Sequence, residues 1–395
     1  MLFRSHISSA IGLVSLCSVA AVACAKAPQP APAEMGRAAS PATPLDPAEP
    51  GAADMKTMGA APDPMTKADP DMKAVMDELG VLNGKPIESL SADEARKQPT
   101  PADAVAALLK KEGKSAAPEP VEQISNRTIP GPGGALPVRI YLPKTGTAPY
   151  PVIVYYHGGG FVIASIDTYD ASARGLANGA GAVVVAVEYR KAPEHKFPAA
   201  HEDALAAYEW TMKNAASIGG DPKKIALVGE SAGGNLAANV SMAARDKKEA
   251  MPICEVLVYP VAGSDMNTES YLANANAKPL NKAMMGWFTG KYFNTPADGN
   301  DPRIGLVHAN LMNLPPTTII NAEIDPLRSE GELLANQLRA AGVTVEQKTY
   351  LGVTHEFFGM GAAVAKAKDA MTLATTNLKR AFSAPAEKPL KAAKK

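Results

Sequence analysis

The stretch Lys224–Leu236, KIALVGESAGGNL, joins a short apolar strand, a glycine-bounded turn and the start of a helix. Ile225–Val228 is apolar and has the length of a buried strand. Ser231 follows between Gly229 and Gly233, where the backbone must fold against itself with no space for a Cβ atom. Such a turn lifts the serine hydroxyl clear of the sheet, and the positive end of the next helix points to where an oxyanion would form. An ordinary glycine turn is the alternative that this stretch alone leaves open.

Strand and helix patterns alternate on both sides of this turn. Apolar runs predict strands at residues 151–156, 182–187, 225–228, 254–259, 317–322 and 343–350, and apolar stripes predict helices at 168–178, 199–214, 232–244, 327–341 and 361–382. Residues 121–129 and 136–141 flank a glycine-rich turn and predict an antiparallel hairpin of edge strands. The alternation predicts an α/β fold with a mostly parallel central sheet flanked by helices.

Two stretches outside that alternation are interpreted as a helical lid over the site. Residues 71–114 carry apolar stripes at helical spacing, with a capping-box pattern that begins at Ser91. Residues 270–296 include a predicted helix at 281–293 that is rich in methionine and aromatic side chains. In the sequence alone, such content favours plain packing over contact with a substrate.

The composition excludes some classes of partner. The 395 residues include 40 basic and 40 acidic side chains, so a formal net charge of zero gives no electrostatic reason to expect nucleic acid. Hydrophobic residues make up 46%, which is enough for a sizeable core. Only three cysteines occur, which argues against a disulfide framework, and Cys254 lies in an apolar run typical of a buried strand.

The first 24 residues have the layout of a signal peptide. Arg4 precedes a short apolar run, Ile11–Val22, and small residues at 21–23 provide a cleavage signal. The segment also resembles a bacterial lipobox ending at Cys24, although Ala21 stands where leucine is usual. Lipidation of Cys24 with membrane attachment and plain cleavage with release both stay open. We expect an exported protein, periplasmic or anchored to the outer membrane as a lipoprotein, otherwise secreted.

Three further regions follow the signal segment. Residues 25–70 are dominated by alanine and proline with no sustained apolar period, which predicts a disordered linker. Residues 71–382 contain the alternating pattern and form the predicted folded domain. Residues 383–395 are rich in lysine and alanine and are predicted to be a disordered basic tail.

Nucleophilic catalysis by a serine needs a base for its proton and an acid that orients the base. After Ser231 the chain contains only two histidines, His308 and His355. His355 follows the last predicted strand, at the strand end where catalytic groups gather in parallel sheets. His308 lies in an irregular stretch and is the weaker candidate.

The acid is expected one strand earlier, since the chain order in such sheets is serine, acid, histidine. Asp325 follows the predicted strand 317–322, and Pro326 then opens a helix. Glu323 is an alternative at nearly the same place, whereas no strand would deliver Asp301 to the site. We therefore predict Asp325 as the acid.

A run of glycines supplies the remaining part of the predicted site. His157-Gly158-Gly159-Gly160 comes directly after a strand, and glycines turn their backbone N–H groups toward a ligand without obstruction from side chains. The N–H groups of Gly158, Gly159 and Ala232 are predicted to stabilise an oxyanion. In isolation, the run is also compatible with a loop of no chemical consequence.

Five motifs in register resemble those of the hormone-sensitive-lipase-like esterases, the α/β-hydrolase-3 family. They are HGGG at 157–160, YRKAPE at 189–194, GESAGG at 229–234, DPL at 325–327 and HEF at 355–357. The resemblance implies an α/β-hydrolase fold with a lid, a triad of Ser231, Asp325 and His355, and an oxyanion hole of Gly158, Gly159 and Ala232. The family more often has Asp at position 230, so Glu230 leaves the triad intact but puts nearby lid or loop contacts in doubt.

The resemblance also implies hydrolysis of carboxylic esters with short to medium acyl chains and no metal or organic cofactor. The predicted function is therefore that of an exported serine carboxylesterase that acts on small-molecule esters through an acyl-enzyme. A deacetylase or amidase with the same triad is an alternative, because pocket shape selects the leaving group. A non-catalytic small-molecule binding protein on the same fold is a second alternative. The sequence leaves the natural ester and the oligomeric state open.

Overall fold

A single sheet of eight strands organises residues 63–384, the part of the chain that the computed structural model describes. The strands are β1 (Gln123–Gly131), β2 (Gly134–Leu142), β3 (Tyr150–Tyr156), β4 (Val183–Val187), β5 (Gly220–Glu230), β6 (Glu255–Val258), β7 (Thr317–Ile324) and β8 (Val345–Thr354). Their spatial order is β1-β2-β4-β3-β5-β6-β7-β8. The pairs β1/β2 and β2/β4 are antiparallel and the other five are parallel, which confirms the predicted α/β fold with a mostly parallel sheet.

The predicted hairpin is present, but only one of its strands is an edge. β1 lies at the edge of the sheet, whereas β2 pairs with β1 on one side and with β4 on the other. Val138 stands opposite Val187 in the second pairing. The pattern of alternating residues identified the hairpin but carried no information on this additional partner, which lies about 50 residues further along the chain.

The helices lie on both faces of the sheet. They are α1 (Pro70–Val81), α2 (Ala92–Ala95), α3 (Pro101–Lys111), α4 (Asp170–Ala180), α5 (Ala199–Asn214), α6 (Ala232–Lys247), α7 (Glu269–Ala273), α8 (Lys282–Tyr292), α9 (Arg328–Ala340) and α10 (Ala365–Ser383). Successive residues of β3 alternate between the faces: Val154 packs in the cluster that holds α5, α6 and α9, and Tyr155 in the one that holds α1, α3, α4 and α10. Both faces are therefore apolar, as expected of a parallel sheet covered on each side.

β5 lies near the middle of the sheet, between β3 and β6. Its residues Ala226, Leu227 and Val228 are fully buried. Val228 stands opposite Tyr155 of β3 and Val256 of β6. The strand therefore delivers Ser231, the next residue after its end, to the carboxyl edge at a fixed position.

The folded domain begins earlier than the sequence predicted. Residues 63–70 were assigned to the linker, but a short 3-10 helix spans Pro64–Lys67 and α1 starts at Pro70. The backbone N–H of Asp69 donates to the Gly352 carbonyl at 2.8 Å, and the Asp69 carboxylate pairs with Lys366 at 2.6 Å. These contacts are made to distant parts of the chain, so local composition did not reveal them. The predicted signal segment, the remainder of the linker and the tail beyond residue 384 lie outside the described residues.

Several strands and helices also extend beyond their predicted ends. β8 extends to Thr354, four residues beyond the predicted end, because its later residues continue the pairing with β7.

Cys254 is buried immediately before β6, where burial raises the thiol pKa to about 12, which agrees with the prediction of a core residue. Within residues 63–384, no helix combines the length and the hydropathy needed to cross a bilayer.

Two segments cover the carboxyl end of the sheet, and we call them together the cap: residues 84–101 and 278–293. Both line one cavity. Trp287 on α8 donates its indole N–H to the Leu90 carbonyl at 2.9 Å, so the two segments contact each other. They lie within the stretches predicted to form a lid.

Candidate active site

The turn at Ser231 has the geometry that the sequence predicted. Ser231 has φ 56° and ψ −118°, a left-handed conformation that a side chain adopts only under constraint. A Cβ atom on Gly229 would lie 2.0 Å from the Gly233 carbonyl oxygen, and one on Gly233 would lie 2.0 Å from the Tyr156 carbonyl oxygen. Backbone therefore packs directly on backbone, and only glycine fits at either position.

Backbone hydrogen bonds fix this turn to the neighbouring strand. The Ser231 N–H donates to the Val258 carbonyl at 2.9 Å, and the Val261 N–H donates to the Ser231 carbonyl at 3.1 Å. The side chain is the only polar part of Ser231 that remains available, and it lines the cavity under the cap. The constrained backbone thus presents the hydroxyl in one direction.

His355 and Asp325 meet at the ends of two adjacent parallel strands. Asp325 directly follows β7 and His355 directly follows β8. The His355 Nδ1 and the Asp325 Oδ2 are 2.7 Å apart, and both side chains are almost fully buried. The second carboxylate oxygen of Asp325 accepts from the Leu327 N–H at 2.8 Å. His355 lines the same cavity as Ser231.

The electrostatics around the imidazole favour its protonated form. Burial is the largest single influence and acts to lower the pKa of His355, but the nearby carboxylates, Asp325 first among them, together raise the pKa above its ordinary value. The Tyr259 ring lies against the imidazole, with 4.4 Å between the ring centroids. An ionised Asp325 keeps the proton on Nδ1, which leaves Nε2 as the acceptor in the neutral ring.

The alternative acids and base lie elsewhere. His308 is exposed on a 3-10 turn, Leu306–His308. Glu323 accepts from the Gly352 N–H at 2.8 Å and does not line the cavity. Asp301 forms an ion pair with Arg303 at 2.8 Å.

The glycine loop after β3 is held in a shape that side chains would prevent. Gly159 has φ 100°, and a Cβ atom on it would lie 2.3 Å from the Ile163 carbonyl oxygen. Gly158 packs against the Tyr169 hydroxyl, where a Cβ atom would lie at 2.2 Å. Among residues 63–384, the N–H groups of Gly158, Gly159 and Ala232 have no hydrogen-bond acceptor. These donors are therefore available to an oxygen atom of a ligand.

His157 supports this loop in its neutral form. Burial lowers the pKa of His157 to about 4, which keeps the ring neutral. Nδ1 carries the proton, because the Gly158 carbonyl at 2.7 Å can only accept a hydrogen bond. Tyr189 stacks on the imidazole and donates its hydroxyl to the His157 carbonyl at 2.9 Å. Arg190 forms an ion pair with Asp203 at 2.9 Å. These contacts give Tyr189, Arg190 and Asp203 structural roles beside the site.

The cavity has a volume of about 480 Å³ and is mostly apolar. Its apolar wall includes Ile163, Val261, Met284, Met285, Phe288 and Tyr292. Four of these belong to the predicted helix whose methionine and aromatic content favoured plain packing. They line the cavity, and three of them, Met285, Phe288 and Tyr292, are at the same time buried in the core.

The sequence did not identify a group of tyrosines and glutamates around the site. The Glu230 carboxylate accepts from the hydroxyls of Tyr155 and Tyr259, and the Glu356 carboxylate accepts from the hydroxyl of Tyr169. Burial raises the pKa of Glu230 to about 7. The hydrogen bonds of Glu230 within residues 63–384 are thus made to core tyrosines and not to the cap. Glu356 was visible as part of the HEF motif, but its partner lies 187 residues earlier in the chain.

No group of histidine, cysteine, aspartate and glutamate side chains among residues 63–384 is arranged to hold a metal ion. The polar groups that line the cavity include the Ser231 hydroxyl and the His355 imidazole, with backbone donors at the same edge of the sheet. Such groups suit attack on a carbonyl carbon.

The family model of the α/β-hydrolase fold matches residues 153–359, which include all of these groups. The chain belongs to the hormone-sensitive-lipase-like esterases. It is 38% identical over 270 residues to carboxylesterase NlhH of Mycobacterium tuberculosis, a match that covers 67% of this chain and 85% of that protein. It is 34% identical over 319 residues to the ethyl acetate hydrolase of Pseudomonas putida, with 79% and 98% covered.

Solved structures of esterases share the fold of this family member. An esterase of Pyrobaculum calidifontis superposes with a TM-score of 0.70 at 38% identity, which covers 80% of this chain and 100% of that one. The family expected from the five motifs is confirmed, and the protein is a carboxylic ester hydrolase.

Proposed function

We propose that this esterase cleaves its substrates with a triad of Ser231, His355 and Asp325 through an acyl-enzyme. One observation carries the proposal: the constrained Ser231 hydroxyl and the buried His355 line one cavity, and His355 is held by Asp325 at 2.7 Å. The acceptor-free N–H groups of Gly158, Gly159 and Ala232 support an oxyanion hole at the same edge of the sheet.

The steps follow from these positions. The Ser231 oxygen attacks the ester carbonyl carbon while its proton passes to His355 Nε2, and the carbonyl oxygen gains the negative charge that the N–H groups stabilise. The C–O bond to the alcohol then breaks, and the same proton passes from Nε2 to the leaving oxygen. Water repeats the sequence on the acyl-enzyme and releases the carboxylic acid.

We propose small-molecule esters with short to medium acyl chains as substrates. A cavity of about 480 Å³ has the size of a small-molecule site, and its wall of methionine, phenylalanine and tyrosine suits an acyl chain. The ethyl acetate hydrolase among the relatives supports the short end of this range. Profiling the purified protein against p-nitrophenyl esters of increasing chain length tests the range, and a maximum at long chains would contradict it.

The test of the triad compares three variants on a short-chain p-nitrophenyl ester. Ser231→Ala should lower kcat by on the order of 10⁶-fold, and Asp325→Asn by about 10⁴-fold. A fluorophosphonate probe should label the wild type and not Ser231→Ala. His308→Gln serves as the control for His355→Gln, since only the second should lose activity. Undiminished turnover in folded Ser231→Ala would refute the assignment.

The same labelling experiment separates the alternatives. A non-catalytic binding protein would stay unlabelled, but the chain retains each part of the machinery. A deacetylase or amidase would be labelled, so it is distinguished by comparing matched ester and amide substrates of one acyl group. We expect the ester to be cleaved faster, because the alcohol is the better leaving group.

We also propose export, from the signal-peptide pattern of residues 1–24. Metabolic labelling with a fatty-acid analogue tests whether Cys24 carries the anchor, with Cys24→Ala as the control. Label in the wild type alone supports a lipoprotein. Processed but unlabelled wild type supports release, and an unprocessed cytoplasmic protein would refute export.

A further inference from the structure

Glu356 is held in an unusual backbone conformation beside the base. It has φ 70° and ψ 2°, a left-handed conformation that favours glycine and is strained for a larger residue. The 3-10 turn Phe357–Gly359 follows directly, and buried Phe357 and Phe358 fix it in the core. The surrounding packing therefore determines where the Glu356 side chain points.

The Glu356 side chain points toward Nε2 of His355, the nitrogen that would accept the serine proton. Its Oε1 lies 3.8 Å from His355 Nε2, on the opposite side of the ring from the nitrogen that Asp325 binds. The Tyr169 hydroxyl donates between the two carboxylate oxygens, at 2.6 and 2.7 Å, which restricts the rotation of the carboxylate. Glu356 and Tyr169 both line the cavity, so the carboxylate faces the space in which a substrate would react.

Other charged groups around His355 come from different elements. Asp325, after β7, binds Nδ1, and Glu230, at the end of β5, acts from behind the Tyr259 ring. Asp325, Glu356 and Glu230 all act to raise the pKa of the imidazole. Only Glu356 approaches the nitrogen that exchanges a proton with Ser231 and the leaving group.

We propose that Glu356 is a positioning residue for the reaction, a second carboxylate that stabilises the imidazolium of His355 from its Nε2 side. The inference rests on the proposed triad. When the proton leaves the Ser231 oxygen and the new O–C bond forms, the positive charge that develops on the ring lies between two carboxylates. When the proton passes to the leaving oxygen and the C–O bond breaks, that stabilisation ends.

The Glu356 carboxylate has opposite effects on the rate at different pH values. Above the pKa of His355, the carboxylate stabilises the charge that forms during attack and so raises kcat. Near that pKa, the same carboxylate favours protonation of the resting base, and a protonated base cannot accept the serine proton. The acidic limb of the rate profile therefore lies at a higher pH than it would without Glu356.

The experiment measures kcat and kcat/KM between pH 4.5 and 9 for wild type, Glu356→Gln, Glu356→Gly and Glu356→Asp. Gln removes the charge and keeps the size of the side chain. Gly removes the charge and suits the left-handed backbone, so an effect that both variants share comes from the charge. In both, the acidic limb of kcat/KM should move about one pH unit toward acid, and plateau kcat should fall roughly three- to tenfold. Asp keeps the charge and should keep the limb near the wild-type position.

The controls separate this inference from the triad itself. Asp369→Asn removes one exposed negative charge from α10 and should leave the profile unchanged. Ser231→Ala should be inactive at every pH. If the limbs of the Gln and Gly variants coincide with that of the wild type while Ser231→Ala is inactive, Glu356 has no such role and the triad stands. Activity in Ser231→Ala would instead refute the proposed function.

Discussion

The Ser231 turn and the cap are held in place by different kinds of contact. Around Ser231, backbone packs so closely on backbone that an added Cβ atom would lie 2.0 Å from a carbonyl oxygen. The main chain of Ser231 also forms hydrogen bonds with the backbone of β6 and of the residues that follow it. The cap is joined to the rest by side chains, such as that of Arg96, and by the backbone hydrogen bond from the Phe197 N–H to the Tyr292 carbonyl at 3.0 Å. The comparison indicates that the reacting group is fixed by the main chain, while its cover also depends on side chains that can be exchanged one at a time.

Arg96 is the clearest example of a cap contact. Its guanidinium donates to both oxygens of Glu194, at 2.8 and 2.7 Å. It also donates to the carbonyls of Val162 and Ala192, at 2.9 and 2.7 Å. Val162 in turn donates its N–H to the Gly159 carbonyl. One side chain of the cap is therefore connected to the glycine loop of the site.

The largest expected effect is that of a glycine-to-alanine substitution in the Ser231 turn, and the same substitution in the cap should have the smallest. Gly233→Ala would bring a Cβ atom to 2.0 Å from the Tyr156 carbonyl oxygen and 2.6 Å from that of His157. The backbone of β3 and the glycine loop would have to move, so we expect loss of nearly all activity and of several kcal/mol of stability. Thermal denaturation and ester hydrolysis measure both effects. Wild-type activity in Gly233→Ala would show that the turn has more freedom than its contacts indicate.

A buried carboxyl of the sheet should make stability depend on pH. Glu255 accepts from the hydroxyls of Ser241 and Thr317, and burial raises its pKa to about 7. A folded-state pKa above the unfolded value gives a contribution that is complete below about 4.5 and lost as the pH rises through 7. Glu255→Gln should therefore gain about 2–3 kcal/mol relative to wild type between pH 5 and 8.

Urea denaturation at pH 5, 6.5 and 8 measures this gain. Asp369→Asn, in an exposed position of α10, is the matched control and should follow the wild-type curve. Parallel pH curves for wild type and Glu255→Gln would contradict the assignment of a protonated, buried carboxyl.

Removal of Arg96 should affect the site through the cap. Because Arg96 is only partly buried, we expect Arg96→Ala to cost about 1–2 kcal/mol and to lower kcat/KM roughly five- to thirtyfold. Arg96→Lys should not restore activity, since an ammonium cannot reproduce the planar fork of donors. Steady-state kinetics with the exposed neighbour Lys97→Ala as control measures the effect. Full rescue by lysine would show that charge alone is sufficient.

The smallest expected effect is a stabilisation of the cap. Gly286 is exposed in the middle of α8, and a Cβ atom on it would have no other atom within 4 Å. Gly286→Ala should stabilise α8 by about 0.5–1 kcal/mol through its higher helix propensity. Slower hydrogen exchange of the α8 amides, with unchanged exchange in β5, would support this. Unchanged exchange in α8 would contradict it.

Local sequence patterns predicted most of the fold and the main polar groups of the site. Helix α5 was predicted with its observed boundaries, and the turn around Ser231 with its glycine requirement. Asp325 and His355 were placed at strand ends, and the structure brings them within 2.7 Å of each other. These predictions succeeded because periodicity, glycine and strand order act over a few residues or follow from the alternation of strands and helices.

Other contacts could not be predicted because their partners are distant in the chain. Arg96 binds Glu194, 98 residues later, and Tyr169 binds Glu356, 187 residues later. The second partner of β2 and the folding of residues 63–69 depend on the same kind of contact. No local pattern distinguishes an arginine or a glutamate that has such a partner from one that is solvated.

The sequence by itself therefore determined the family, the α/β layout and the strained turn, because each is encoded in short motifs and their order. Only the tertiary structure decided which polar groups face one another: the carboxylate of Glu356 at 3.8 Å from His355 Nε2, the tyrosines around Glu230, and the anchoring of the cap by Arg96. The physical reason is that the direction and burial of a side chain depend on packing between elements that are distant in the chain, which short sequence patterns do not reveal.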